Sequence, residues 1–140
     1  MAFNEKSAWI MSFALLVGGL FYFGVVAKIS LEIGQLVPPL LPLVAVYTAI
    51  LAVAAIVGHI VIALTALKEA SASLDERERQ LVVRAGHHSG LVFGAGVIMS
   101  LGVYLFTYNG NLLFYCVFAS LMISQLAEYV LQIVLYRTAV

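Results

Sequence analysis

The sequence predicts an all-α, polytopic membrane protein: a four-helix antiparallel transmembrane bundle with a short cytoplasmic surface helix. Three observations carry that prediction. The 140 residues are 64% hydrophobic and only 10% charged, against roughly 25% charged for soluble domains, so there is too little polar surface to face water. The apolar residues gather in four runs, each close to the roughly 20 residues a helix needs to cross about 30 Å of hydrocarbon. Seven basic residues balance seven acidic ones. That balance excludes nucleic acid as a partner, which calls for a basic excess, and a highly charged disordered tail.

Span one occupies residues 8–27, between Lys6 and Lys28. Its apolar run is longer than the roughly 7–15 residues of a signal-peptide core, and no small-x-small site precedes Lys28, so it is expected to be retained. Span two, residues 43–66, is entered through Pro38, Pro39 and Pro42 and closes before Lys68. A polar segment over residues 67–87 leads into span three, residues 88–108. Span four, residues 112–136, ends ahead of Arg137. Between the last two spans, Asn109-Gly110-Asn111 predicts a tight turn using positive φ, which makes those spans antiparallel neighbours.

Orientation follows from the Lys and Arg residues in the connections. Lys68, Arg77, Arg79 and Arg84 lie between spans two and three, with Lys6 and Arg137 near the termini, whereas Lys28 stands alone on the other side. Both termini and the middle segment are therefore expected in the cytoplasm, with the chain in the inner membrane. Trp9, Tyr108 and Tyr136 fall near span ends, where amphipathic rings prefer the headgroup layer. Cys116 is the single cysteine. It can form no intrachain disulfide and reads as a small buried hydrophobe.

Within the polar segment, Ser73 and Glu76 have capping-box spacing, and Asp75 and Arg79 stand at i and i+4. Leu74, Leu81 and Ala85 add a narrow apolar stripe suited to a membrane surface. The expected helix is either a solvated linker or a docking surface or gate, and it can continue into span three with Gly86 as a hinge. The run Asp75-Glu76-Arg77-Glu78-Arg79, followed by Leu81 and Arg84-Ala85, resembles the D-E-R-[DE] motif of a group of uncharacterised small four-span prokaryotic membrane proteins, placed like it after the second span. The resemblance implies an inner-membrane, four-span layout. No activity, substrate or catalytic residue comes with it.

Two ionisable groups, His59 and Glu128, are expected well inside spans, where such groups need a partner or a purpose. His59 lies nine positions before Lys68 and Glu128 nine before Arg137, so each should sit about 13 Å below the same interface and the two could share a layer. His59 belongs to a small-residue stripe with Ala45, Thr48, Ala52, Ala55, Ala63 and Ala66, expected to face inward. Gln125, Glu128 and Gln132 share a face of span four. Gly86, Gly90 and Gly94 form a glycine stripe for close helix packing, within the chain or in a homodimer.

Three uses of the polar set stay open: a structural hydrogen-bonded pair, a proton- or cation-responsive site, and a metal or haem site drawing on His59, Glu128 and His87 or His88. In the last, the two cytoplasmic histidines lie roughly 7 Å nearer the surface than His59, which is far for a first shell. No cofactor is expected. No GxSxG, phosphate loop or serine with an evident base is present, so an enzyme is not expected either. The functional expectation is an accessory, structural or regulatory membrane subunit docking a protein partner through its cytoplasmic helix. The alternative is an oligomeric proton- or cation-linked transporter using Glu128 and His59.

Overall fold

The computed structural model describes residues 3–65 and 76–138. They form four helices: α1 (Phe3–Ile33), α2 (Leu41–Thr65), α3 (Glu76–Thr107) and α4 (Gly110–Thr138). All four are long and apolar enough to cross a membrane, an architecture compatible with a multi-pass membrane protein. Ser73, Asp75 and Leu74, hence the capping box, the Asp75–Arg79 pair and any separate surface helix there, lie outside the described residues. From Glu76 onward the polar segment is no separate element. It forms the first turns of α3, unbroken at Gly86.

Each connection has a local cause. Gly34 ends α1 in the left-handed region (φ 74°), its N–H reaching the Ser30 carbonyl at 3.0 Å, a C-terminal cap for which glycine has no Cβ penalty. The Ser30 hydroxyl accepts the Val37 N–H at 3.1 Å, and Val37 turns inward to be buried. Between α3 and α4 the positive φ falls on Tyr108 (50°), not on the Asn-Gly pair. Asn109 is the N-cap of α4, its Oδ1 accepting the Leu112 N–H at 3.1 Å. Gly110 thus belongs to the first turn of α4.

Helix α1 packs on both α2 and α4, while α3 packs on α4, giving a row α2–α1–α4–α3 in which α2 and α3 share no substantial surface among the described residues. The core is aromatic and lies toward the end that carries the α1–α2 and α3–α4 connections. Tyr22 is fully enclosed, its ring 4.9 Å from Phe118 and 5.5 Å from Tyr47, with Tyr47 5.6 Å from Phe118. The Tyr115 hydroxyl donates to the Val37 carbonyl at 3.1 Å, tying the α1–α2 connection to α4.

Within the chain, the two expected packing stripes are used only in part. On α2, Ala45, Thr48, Ala52 and His59 are exposed, Ala55 and Ala63 are half-buried and Ala66 lies outside the described residues; the Thr48 hydroxyl bonds back to the Val44 carbonyl. The buried line is Tyr47, Gly58 and Ile62. Gly58 is on it because Ile10 of α1 lies only 2.7 Å from where a Cβ would stand. On α3, a Cβ at Gly90 or Gly94 would meet open space. The close approach to α4 is at Gly96, 2.5 Å from the Ser120 hydroxyl by the same measure.

Candidate functional site

The polar side chains collect at the other end of the molecule, where α1 and α3 begin and α2 and α4 finish. His59 occupies the sixth turn of α2. Its Nδ1–H donates to the Ala55 carbonyl at 2.6 Å, since a carbonyl can only accept; in the neutral ring the lone pair then lies on Nε2. That lone pair accepts the Ser7 hydroxyl at 2.8 Å. The pair joins α2 to the second turn of α1. Its geometry is that of a serine beside a base, with the Ala55 carbonyl the one further hydrogen-bond partner of the ring among the described residues.

Glu128 has a different set of neighbours. Ser89 of α3 donates to Glu128 Oε2 at 3.3 Å and shares the same proton with the Gly86 carbonyl at 3.0 Å. Gln132, one turn on, donates to Oε1 at 3.5 Å. The carboxylate is half-buried at the α3–α4 seam, where Gly86 leaves room for it: a Cβ there would stand 3.9 Å from Oε1. Gln125 is half-buried on the same helix and takes no part in these bonds. His59 and Glu128 therefore anchor two separate helix pairs, α1–α2 and α3–α4.

A third pairing closes the α1–α4 seam. Glu5 is buried, 8% exposed, and accepts the Arg137 Nε–H at 3.4 Å; the Arg137 guanidinium also lies over the Trp9 ring, 5.5 Å from its centroid. His87 and His88 are exposed on the first turns of α3, with rings 5.8 Å apart, and His88 Nδ1–H donates to the Arg84 carbonyl at 2.8 Å. Glu76, Arg77, Arg79 and Arg84 are exposed as well. Among the described residues no three His, Cys, Asp or Glu side chains gather as a metal site; the four candidate ligands His59, Glu128, His87 and His88 are spread over three helices.

Ser7, Glu5, Ser89 and the inward role of Arg137 had no sequence signal strong enough to single them out. The one available hint was that Glu5 and Arg137 flank spans ending on the same side. No protein-family model matches the chain, and no curated protein or solved structure does so either.

Proposed function

We propose that this chain is a multi-pass protein of the inner membrane, with both termini cytoplasmic, acting as an accessory, structural or regulatory subunit that docks a partner protein through the first turns of α3. The single observation that carries this reading is the position of α3. Among the described residues it packs chiefly on α4, and its first turns present Glu76, Arg77, Arg79 and Arg84 to the outside. Further support is that the polar groups at depth are engaged within the chain, Ser7 with His59, Ser89 and Gln132 with Glu128, and Glu5 with Arg137. That pattern suits helix registration better than a path. Gly90 and Gly94, unused inside the chain, are suited to a homodimer contact along α3.

The test is to scramble the order of residues 76–84 and recover partners after in-cell crosslinking from α3. The expected result is loss of the partner band with unchanged helicity and elution volume; undiminished recovery of the same partner overturns the reading. The competing reading, an oligomeric proton- or cation-linked transporter, is favoured by one observation: the hydrogen bonds to Glu128 are long, 3.3 and 3.5 Å, leaving the carboxylate loosely held. A proteoliposome flux abolished by Glu128→Gln with the fold intact would establish it.

A further inference from the structure

Between α1 and α2 runs an apolar groove of about 750 Å³, walled by Trp9, Phe13, Val17, Phe21, Ile50 and Tyr47. Its floor is built from the small residues Ala14, Gly18 and Ala54. The floor cannot close further, because the Tyr47 ring already stands 3.1 Å from a Cβ position at Gly18. From Trp9 to Phe21 is twelve residues along α1, about 18 Å. One leaflet contributes roughly 15 Å, half of the hydrocarbon thickness. The groove thus has the length of one acyl chain.

Its two ends differ. At the inner end the Tyr47 ring closes it, the hydroxyl buried with no hydrogen-bond partner among the described residues. At the mouth stands Trp9, the only tryptophan, a residue type that marks the headgroup layer. The guanidinium of Arg137 covers this ring, its side chain 61% exposed and, among the described residues, its Nε–H engaged with Glu5. A guanidinium has five N–H donors in a fixed fork that suits phosphate oxygens. The Ser7–His59 bond holds α1 to α2 one turn beyond Ile10, keeping the mouth at a fixed width.

We infer that this groove binds one acyl chain of an anionic phospholipid, with the headgroup phosphate held by Arg137 at the Trp9 mouth. A helix of a second copy fits it poorly. Protruding rings at Trp9, Phe13 and Phe21 would hold a second backbone away, whereas helix–helix contacts in lipid favour small residues at the rim. The inference rests on the chain lying in a membrane, which alkaline-carbonate extraction tests separately: release of the chain from membranes would defeat both readings.

The experiment uses Trp9 as the reporter. The full chain is reconstituted in vesicles holding brominated phosphatidylglycerol or brominated phosphatidylethanolamine, and quenching of Trp9 is titrated. The anionic lipid is expected to bind about fivefold more tightly, the worth of one cation near an anionic surface. Arg137→Lys should retain most of the preference and Arg137→Gln should remove it. Ala54→Phe, filling the floor, should weaken quenching by both lipids while helicity is kept; should that variant misfold, Val17→Trp with Trp9→Phe crowds the wall instead and reports from inside the groove. Quenching equal for both lipids and indifferent to these changes means bulk lipid only and overturns the inference. So does a Phe13→Cys disulfide dimer forming in the vesicles of the Cys116→Ala chain, which would put a second copy in the groove.

Discussion

His59 shows how one side chain in a helix can be fully committed by two others. A helical histidine whose Nδ1–H is taken by the carbonyl four residues back keeps its Nε2 for a neighbour, and here that neighbour is the Ser7 hydroxyl at 2.8 Å. Because the bond crosses between helices, its removal should be felt as weaker α1–α2 association. Interhelical hydrogen bonds in lipid are modest, averaging about 0.6 kcal/mol with a maximum near 1.7. A double-mutant cycle of Ser7→Ala and His59→Phe, followed by unfolding in detergent or bicelles, should give a coupling of about 0.5–1.5 kcal/mol. A coupling indistinguishable from zero, with the double change costing the sum of the two single ones, would show that the two residues do not stabilise the fold through one another. The same scale explains why His59 and Glu128 did not pair. Long cationic side chains such as Lys68 and Arg137 can reach back to the interface from within a helix, so a flanking cation is a poor depth marker. Arg137 lies over Trp9 and meets buried Glu5, and Ser7, next to Lys6 in sequence, sits level with a histidine six positions short of the last described residue of α2.

At the scale of the element, the existence of the helices was legible and their faces were not. Apolar length alone located four helices long and apolar enough to cross a membrane, because a backbone in hydrocarbon must satisfy its own hydrogen bonds over a fixed thickness. Periodicity normally reports the buried face, but in lipid both faces are apolar and the contrast vanishes. Size was the remaining cue, and it misled. The stripe of Ala45, Thr48 and Ala52 faces outward, while Tyr47 and Ile62, large and apolar, are buried. On α3 the glycine spacing does not mark the contact made within the chain. Gly90 and Gly94 have open space at their Cβ positions, whereas Gly96, outside the repeat, is pressed against Ser120, whose Cβ as well as its hydroxyl lies within 2.6 Å of the missing methyl. The consequence is a contrast between two equal substitutions. Gly96→Ala should destabilise the α3–α4 pair by about 1–3 kcal/mol through overpacking, since rotating the hydroxyl cannot move Ser120 Cβ. Gly94→Ala should leave the monomer unchanged or steadier by up to about 1 kcal/mol through helix propensity. Thermal unfolding of the two variants in the same detergent checks the pair, and equal shifts would mean that Gly96 is not the contact point.

For the whole molecule, the row α2–α1–α4–α3 puts the two helices joined by residues 66–75 at opposite ends. The chain is therefore two hairpins, α1–α2 and α3–α4, that meet chiefly through α1 and α4. What joins them is uneven along the seam. At one end the contact is Tyr22 and Tyr47 on Phe118, with Tyr115 donating to the Val37 carbonyl; at the other it is Glu5 with the well-exposed Arg137. Lipid tails are as apolar as these rings, so the aromatic end contributes through packing and ring geometry, about 0.5–1.5 kcal/mol for each ring pair. The ion pair, whose cation is largely exposed, contributes less, about 0–1 kcal/mol. Separate expression of residues 1–70 and 71–140 in one membrane should therefore yield two hairpins that associate, and the strength of that association should track the rings. Phe118→Ala, which removes its ring pairs with Tyr22, Phe23 and Tyr47 across the seam, should weaken recovery of one tagged half by the other by about 1.5–4.5 kcal/mol, roughly tenfold to two-thousandfold. Arg137→Gln should weaken it by less than about fivefold. Energy transfer between fluorescent tags on the two halves measures both. Halves that never meet, or that meet as firmly without the Phe118 ring, would place the stabilising contact elsewhere than the aromatic core.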